Sequence, residues 1–350
     1  MMKKERALYI FVGKSSFTEK DLTFLQSEYD VRAFNFEFEK KWKTPFQLLS
    51  LLFFLIRHLP GAKFCLIQLS GFHSYFPALL SKIFGKKCFI VAAGTDAHCF
   101  PSIGYGNYRK PLLGYFTKVS FRLATHILPK HESLWYTDYN YDPAGAPSQG
   151  IKYFVHGIKT KHTSIPNGYD AEKFKASTNN RTKDFITVAG LLHLSSQHQL
   201  KGIDLILRIA ELFPEKSFTI VGVNDKASFP KVTPNVELLP SVKNSDLPEL
   251  FSQHKFYFQL SMAEGFPNAL CEAMLCECVP IGSAVFSIPE IIGDSGFILP
   301  KKSSHELEGL IKRALNADLP SLGKKARNRI ADNYPLEKRK NQLLNFLKTN

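Results

Sequence analysis

Seven residues separate Glu264 from Glu272 in a stretch of sequence that predicts the start of a helix. Gly265 permits a close approach of the backbone to a ligand, and Pro267 has the fixed φ that suits a first helical position. A helix N-terminus offers unpaired N–H groups and the positive end of the helix dipole, which attract phosphate. The segment therefore has the groups to hold a ligand that carries phosphate.

The alternative is that both glutamates are solvated surface charges. An exposed helical Glu usually has a Lys or Arg three or four residues later, but Glu272 is followed there by Leu275 and Cys276. Residues 255–260 read as a strand, so Glu264 lies in a strand-to-helix loop at the carboxyl edge of a sheet. Open parallel sheets bind ligands at this edge. The pattern therefore favours a binding site over a solvated surface.

Strand-like runs alternate with helical patterns in both halves of the chain, which predicts two parallel sheets covered by helices. We predict an α/β fold with two Rossmann-like domains, residues 1–165 and 166–335, that face a central cleft. A Gly- and Pro-rich stretch at 139–150 precedes the boundary. Predicted strands span residues 7–12, 31–36, 64–69, 88–93, 126–128, 185–189, 218–221, 236–239, 256–260 and 279–281; predicted helices span 19–28, 45–59, 75–84, 111–123, 203–213, 247–253 and 267–276.

Two further motifs accompany the glutamate pair in a fixed order. Ile-Pro-Asn-Gly-Tyr-Asp occupies residues 165–170, with Phe174 shortly after, and Lys-Gly-Ile-Asp occupies 201–204, after the strand at 185–189. Together the three motifs resemble the retaining nucleotide-sugar glycosyltransferases of family 4, the glycosyl transferases group 1 type, which have the GT-B fold. The resemblance is close in the second half and loose in the first. It implies that the last helix, within residues 336–350, crosses back onto the first domain.

The resemblance implies roles for individual residues. Glu264 would contact hydroxyls of the donor sugar, Glu272 would hold the nucleotide ribose, and Lys201 would reach the diphosphate, where its contact strengthens as leaving-group charge develops. The nucleobase would be bound by backbone groups of the loop at Val242 and Lys243, which leaves the base undecided. The backbone of Gly265, Phe266, Pro267 and Asn268 would bind sugar hydroxyls or phosphate oxygens.

The sequence departs from the family pattern after Gly190, where members usually have an arginine that completes the diphosphate clamp. Leu191 stands at that position. His193, His198 and Gln199 follow in a stretch that we predict to be a long loop up to residue 200, and they are the candidates to compensate. The departure leaves weaker donor binding, or an inactive homologue, open.

A second departure lies after the fourth strand. Many members have a histidine before a glycine there, but this chain has Ala93. Asp96 follows, and either contacts the transferring sugar or the acceptor hydroxyl as a catalytic group, or caps a turn. His98 follows in turn. Gly13, after the first strand, is expected to let backbone N–H groups approach the donor.

The charge is uneven along the chain. Residues 1–165 carry 22 Lys and Arg against 11 Asp and Glu, a net charge of +11, and residues 166–350 carry 23 against 20, a net charge of +3. The basic residues are scattered and no nucleic-acid-binding signature accompanies them, so we expect no nucleic acid partner. An anionic membrane surface or an anionic acceptor fits this balance better than nucleic acid. The remaining possibility is a basic face with no partner.

We expect a cytoplasmic protein, peripheral on the inner face of the cell membrane. The apolar run near the N-terminus is too short for a secretory signal, and the run at 46–56 is too short to span a bilayer. The latter is interpreted as a core helix, with a helix in the membrane interface as the alternative. The six cysteines suggest reduced structural thiols. Neither their spacing nor an Asp-x-Asp pair indicates a metal, and we expect no cofactor.

The leading hypothesis is a retaining glycosyltransferase that moves a sugar from a nucleotide-diphosphate sugar to a glycan or lipid-linked acceptor, in the synthesis of cell-surface polysaccharide or glycolipid. A nucleotide-sugar epimerase is one alternative, but it does not normally combine the motifs at 165–170 and 201–204 with the glutamate pair. A non-catalytic nucleotide-sugar-binding subunit is the other, because of Leu191 and Ala93.

Overall fold

The protein is described from a computed structural model, which covers residues 4–37, 41–178, 180–191, 195–226, 229 and 231–350, without the side chains of Lys41, Leu191, Ser195 and Ser196. It contains two six-stranded parallel sheets and a short antiparallel pair. The strands are β1 (Arg6–Val12), β2 (Asp30–Phe36), β3 (Ala62–Gln68), β4 (Lys87–Ala92), β5 (His126–Pro129), β6 (Thr137–Asp138), β7 (Ser148–Gln149), β8 (Lys161–His162), β9 (Lys183–Leu191), β10 (Phe218–Val223), β11 (Val236–Leu239), β12 (His254–Gln259), β13 (Val279–Ser283) and β14 (Phe297–Leu299).

The helices follow the strands in alternation. They are α1 (Ser16–Glu28), α2 (Thr44–His58), α3 (Phe72–Ile83), α4 (Pro111–Leu123), α5 (Ile151–Phe154), α6 (Ser195–Leu200), α7 (Ile203–Leu212), α8 (Leu247–Ser252), α9 (Asn268–Leu275), α10 (Ile288–Ile292), α11 (Ser304–Leu315), α12 (Leu319–Asn333) and α13 (Leu336–Thr349). The first sheet has the order β2-β1-β3-β4-β5-β8 and the second β11-β10-β9-β12-β13-β14. In both, the order reverses beside the first strand, where open sheets form a ligand-binding crevice.

Apolar side chains cover both faces of the first sheet. Helices α2, α3 and α4 pack on one face through residues such as Leu55, Ala78 and Phe121, and α1 and α13 cover the other through Leu25 and Leu343. One large apolar cluster forms the core of the second domain. Because both faces are covered, the inner strands are almost continuously apolar, as the sequence predicted.

Three sequence interpretations need correction. The predicted loop up to residue 200 contains helix α6 from Ser195. Helix α9 begins at Asn268, and Pro267 is its N-cap, with an extended ψ of 109°. The run at 46–56 is not a core helix on all sides: in α2 only Leu51 and Leu55 are fully buried, because the helix packs on the sheet through one face. No element was predicted between residues 281 and 336, where β14 and three helices lie.

Helix α13 lies on the first domain. Arg339 in α13 donates to both carboxylate oxygens of Asp21 in α1, at 2.7 to 3.0 Å, and also to the carbonyls of Ile165 and Pro166. Tyr169 lies where the chain passes into the second domain, and residues 334 and 336 lie where it passes back to the first. Backbone hydrogen bonds between Tyr169 and residues 334 and 336 join these two segments. The two connections between the domains therefore run side by side, tied to the first domain by a buried ion pair.

Candidate active site

Glu264 lies in the loop after β12, and three donors converge on its Oε1. Lys201 Nζ is 2.5 Å away, Ser261 Oγ 3.0 Å and Gln259 Nε2 3.2 Å. The Lys201 and Glu264 side chains are 28% and 15% exposed, so the ion pair is reachable from the cleft. The structure thus brings together two residues that are far apart in sequence and were both predicted to contact the donor.

The backbone around Lys201 is held firmly. Gly202 caps α7 with a φ of +71°, and a Cβ there would lie 2.2 Å from the carbonyl oxygen of Leu260. Glycine is therefore required both for the positive φ and for the close approach. Met262 donates its N–H to the carbonyl of Leu200. These contacts fix the junction of α6 and α7 against the loop that carries Glu264.

Glu272 is buried in α9, at 4% exposure. Its Oε1 accepts from Asn244 Nδ2 at 3.2 Å, and Asn244 Oδ1 accepts from Lys173 Nζ at 2.6 Å. Burial raises the pKa of Glu272, and the Asn244 hydrogen bond together with Lys20 and Lys173 opposes that shift. Asn244 comes directly after Val242 and Lys243, so the predicted nucleobase loop lies beside Glu272. Val242 is half-buried and Lys243 is exposed.

The segment between the two glutamates contacts the first domain. A Cβ at Gly265 would lie 1.9 Å from the carbonyl oxygen of Ala93, so only glycine fits there. Phe266 is buried and its ring stacks on Tyr169 at 6.3 Å. Asn268 Oδ1 accepts from the Tyr169 hydroxyl and from Asn167 Nδ2, both at 2.9 Å. The motif at 165–170 therefore holds the start of α9.

The first domain places its own strand-to-helix turn opposite α9. Gly13 follows β1 with a φ of +65°, which favours glycine, and no atom lies within 4 Å of the place a Cβ would take. Ser15 caps α1 in a capping box with Thr18. Ser16, Phe17 and Lys20 of α1 and Asn268 of α9 line a small cavity between the domains, so two helix N-termini meet there.

Asp96 is fully buried at the end of β4. Its carboxylate accepts from the N–H groups of Ser70, Ala93 and Gly94 at 2.9 to 3.2 Å. Burial raises its pKa and these amide donors oppose the shift. This is the geometry of a turn cap, one of the two roles left open by the sequence. The cap orders the turn in which Ala93 faces Gly265.

His98 stacks on Phe286 of the second domain, at 3.8 Å between ring centroids.

The region after Gly190 is only partly described. Gly190 lies near the end of β9, and nothing stands within 4 Å of where its Cβ would be. The Leu191 side chain and His193 lie outside the described residues. His198 packs on Phe229 at 4.6 Å, and burial lowers its pKa; Gln199 is exposed. Neither is shown in contact with Lys201 or Glu264.

Two lysines of the first domain were missed in the sequence. Lys20 in α1 lies close enough to Glu272 for their charges to interact, and it donates to the carbonyl of Gly168 at 3.4 Å. Lys130 follows β5 and is only 2% exposed, with its Nζ 3.5 Å from the centroid of the Phe17 ring. Its place directly after a strand, at the carboxyl edge, is the signal that could have found it. Both place an amine beside the cavity between the helix N-termini.

Burial lowers the pKa of Lys130 to about 7. Between pH 7 and the ordinary lysine value of about 10.4, the folded state therefore binds fewer protons than the unfolded state, and stability rises with pH. Replacing Lys130 by Met is expected to stabilise the protein most near pH 7, with a gain that falls by up to about 1.4 kcal/mol per pH unit towards pH 9. Denaturant unfolding of both proteins across this range measures the difference.

The control for that experiment is Lys87→Met, on an exposed lysine at the start of β4. It is expected to change stability by the same small amount at every pH. A constant gain from Lys130→Met would mean that Lys130 stays protonated in the folded protein and would contradict the prediction.

Among the described residues, no group of three or more His, Cys, Asp or Glu side chains is placed to hold a metal ion. In the same part of the chain, every helix is too short or too polar to cross a membrane.

The two sheets and their arrangement define the GT-B fold. The sucrose-phosphate synthase of Thermosynechococcus elongatus superposes with a TM-score of 0.77 at 13% identity, over 99% of both chains. Anabaena Alr3699/HepE, solved in complex with UDP and glucose, superposes with a TM-score of 0.67 at 14% identity, over 98% of this chain and 99% of its own. At such identities the likeness shows the fold alone. The predicted fold class is confirmed.

Residues 170–335 match the family model "Glycosyl transferases group 1". The matched part contains Lys201, Glu264 and Glu272, and the resemblance to the glycosyl transferases group 1 is confirmed. The match begins at the end of the motif at 165–170 and ends before α13.

Curated relatives match shorter stretches. The phosphatidylinositol N-acetylglucosaminyltransferase gpi3 subunit of Schizosaccharomyces pombe is 29% identical over 139 residues, which cover 37% of this chain and 30% of that protein. The O-antigen chain mannosyltransferase B of Escherichia coli is 30% identical over 83 residues, 24% of this chain and 22% of its own. The matches thus span a third or less of the length of these two relatives.

Proposed function

We propose that this chain is a retaining glycosyltransferase that moves a sugar from a nucleoside-diphosphate sugar to a glycan or lipid-linked acceptor. The observation that carries the proposal is the Lys201–Glu264 pair at the carboxyl edge of the second sheet, with Glu272 on the helix that follows. The family match of residues 170–335 supports it, as do a solved neighbour that binds UDP and glucose and relatives named as N-acetylglucosaminyl- and mannosyltransferases.

The ion pair gives Lys201 and Glu264 complementary roles. Lys201 Nζ stands where it can neutralise the diphosphate, and Glu264 can accept from sugar hydroxyls with its remaining lone pairs. Ser261 and Gln259 keep Glu264 in place when Lys201 turns towards phosphate. The site is therefore ready to accept an anion beside a polyol without leaving a buried carboxylate unpaired.

In the proposed reaction the bond between the anomeric carbon and the diphosphate oxygen breaks. The acceptor oxygen bonds to that carbon on the same face, and its proton passes to an oxygen of the donor diphosphate. Lys201, Lys20 and the N-termini of α1 and α9 stabilise the charge that develops on the leaving diphosphate. We propose that these groups neutralise the diphosphate, so no metal or other cofactor is part of the proposal. Asp96 acts through the turn that it orders, and its direct contact with the sugar remains a prediction.

Ala93 and Gly265 are in contact, so the two edges of the cleft touch where a donor sugar would lie. Donor binding therefore requires the domains to separate, and the paired connections at residues 169 and 334–336 are the place for that movement.

We propose that the reaction takes place on the cytoplasmic side of the membrane, in the synthesis of a cell-surface polysaccharide or glycolipid.

The test of the function is a panel of nucleoside diphosphates and their sugars, screened by thermal shift and then by release of nucleoside diphosphate. A ligand at 100 times its dissociation constant stabilises the folded state by about 2.7 kcal/mol. Stabilisation together with acceptor-dependent release supports transfer. Binding with no release or hydrolysis would support the alternative of a non-catalytic subunit, which Ala93 and Leu191 keep open, and conversion of the free nucleotide sugar to an isomer would support an epimerase.

Replacing Glu272 by Ala is expected to weaken the binding of the nucleoside diphosphate itself, even without a sugar, because the carboxylate is proposed to hold the ribose. The loss of a charge-assisted hydrogen bond predicts a cost of about 1.5 to 3 kcal/mol in binding free energy. Isothermal titration of the diphosphate measures this cost. Glu249→Ala, on the exposed side of α8, is the matched control. Equal affinities for all three proteins would remove Glu272 from the nucleotide site.

A further inference from the structure

Helix α2 has two apolar faces, and only one is used by the fold. Leu51 and Leu55 are buried against the first sheet. On the opposite face Phe46, Leu49, Phe53 and Ile56 are 51 to 67% exposed. Their spacing of three and four residues places them in one stripe along the helix. Single exposed apolar residues are ordinary, but a stripe of four large ones marks a surface that binds something.

Trp42 extends this exposed apolar surface at its N-terminal end. Trp42, just before α2, is 66% exposed, and its ring contacts that of Phe46. Helix α4, separated from α2 by α3 in the same helical layer, also exposes Leu112 and Tyr115, by 63% and 60%. We call Trp42, Phe46, Leu49, Phe53 and Ile56 the α2 stripe.

The charge around the α2 stripe is mainly positive. From residue 41 to residue 131 the sequence has 12 Lys and Arg but a single acidic residue, Asp96. Asp96 is fully buried at the end of β4, so no carboxylate from this stretch reaches the surface. Lys43 and Arg57, at the two ends of α2, and Arg109 and Lys110, before α4, are all exposed. Two acids lie near the ends of α2: the exposed Glu37, whose N–H donates to Gln47, and the half-buried Asp30, close enough to His58 for their charges to interact. Cations still outnumber acids around the stripe, and an apolar stripe with excess positive charge is complementary to an anionic lipid surface, where apolar insertion and charge attraction add.

We propose that the α2 stripe inserts into the interface of an anionic lipid bilayer and holds the first domain on the membrane. A second copy of this chain is a poor occupant, because pairing two such faces would bring the same cations together. A crossover helix runs opposite to its strands, so α2 begins at the carboxyl edge of the first sheet. Trp42 and Phe46 therefore lie at the end of the stripe nearest the cleft.

The position of the α2 stripe near the cleft has a consequence for the acceptor. A lipid-linked acceptor would leave the bilayer beside the cleft edge and reach the donor without departing from the membrane. That last step rests on the proposed function; the docking itself does not. Since no helix of the described residues could cross a bilayer, the attachment is peripheral as far as this part of the chain provides it.

The test is sedimentation of the full chain with vesicles of phosphatidylcholine alone and of phosphatidylcholine mixed with phosphatidylglycerol. The wild-type protein is expected to bind the mixed vesicles and not the neutral ones. Phe46→Ser with Phe53→Ser is expected to weaken this binding by at least about tenfold. Leu212→Ser, at an exposed leucine of the second domain, is the matched control and is expected to bind as the wild type does.

Lys43→Gln with Arg57→Gln tests the charge component. This variant is expected to lose several-fold in affinity for the mixed vesicles at low salt, whereas Lys324→Gln, at an exposed lysine of α12, is expected to lose nothing. Because 1 M salt shortens the Debye length to about 3 Å, the difference between the charge variant and the wild type should then vanish.

Several outcomes would overturn the proposal. These are no sedimentation with either vesicle, equal binding to neutral and mixed vesicles, and undiminished binding by the double Phe variant. A wild-type dimer that the same variant converts to monomer would show that the stripe pairs two copies instead. Nucleoside diphosphate affinity, measured in parallel, separates this proposal from the proposed function, since the Phe variant is expected to keep it unchanged.

Discussion

Replacing Lys201 by alanine is expected to lower kcat by about 10²- to 10³-fold, while the affinity for the nucleotide sugar changes much less. The reason is that leaving-group charge is larger in the transition state than in the bound donor, so a cation aimed at the diphosphate acts mainly on turnover. Glu264 keeps Ser261 and Gln259 as donors in this variant. The lost activity would therefore report on Lys201 and not on a displaced Glu264.

The measurement is a steady-state rate with the donor found in the nucleotide screen, together with a direct titration of that donor. Lys255→Ala is the matched control: its Nζ pairs with Asp184 at 2.9 Å at the amino edge of the same sheet, opposite the cleft. It is expected to keep kcat within about twofold of the wild type. Equal losses in kcat/KM and in donor affinity from Lys201→Ala would make Lys201 a uniform binding group, and unchanged kcat would remove it from the chemistry.

The site in the second domain was predictable because its motifs follow strands, and residues that follow parallel strands lie at the carboxyl edge of the sheet. Glu264 and Lys201 each follow an apolar strand closely enough to be placed at the carboxyl edge, and a parallel sheet brings such edges together. Their direct pairing depends on β9 and β12 being neighbours, as they are, and on helix α6, which lies between β9 and Lys201. The sequence could not show Asn244 beside Glu272 or the contact of Gly265 with Ala93, because these depend on how loops and domains meet.

The first domain was harder to predict for two physical reasons. Lys130 looks like any solvated lysine until the Phe17 ring covers it, so its burial is a tertiary property. Helix α2 is apolar nearly all round, which is the pattern of a helix buried on all sides. The sequence of the helix does not show which neighbour covers its second face. None of the described residues does so, and this uncovered face is the one proposed to contact the membrane.

The largest effect on stability is expected from Arg339→Ala. Arg339 and Asp21 are 4% and 0% exposed at the side chain, and Arg339 also serves two carbonyls of the connection between the domains. Removing one partner of a buried ion pair leaves an uncompensated charge, and typically costs about 3 to 5 kcal/mol in the free energy of unfolding. Gln68 still donates to Asp21, at 2.7 Å, but one neutral donor replaces little of a bidentate guanidinium.

The chain's own fluorescence can locate this loss. Both of its tryptophans, Trp42 and Trp135, lie in the first domain, so denaturant unfolding followed by tryptophan emission reports on that domain. Arg339→Ala is expected to move this transition to lower denaturant, because α13 covers one face of the first sheet. Arg329→Ala is the matched control, since Arg329 is half-buried and donates to the carbonyls of residues 290 and 291.

The double variant Asp21→Leu with Arg339→Met distinguishes charge pairing from packing. Apolar residues of similar size often replace a buried ion pair at little cost, so it is expected to recover most of the lost stability. The carbonyls of Ile165 and Pro166 would still lack their donor. The connection between the two domains, which contains these residues, is therefore expected to be held less tightly. Weaker donor binding in a stable double variant would therefore tie the ion pair to domain placement. A double variant as unstable as Arg339→Ala would instead show that the carbonyl contacts, and not the charge on Asp21, set the cost.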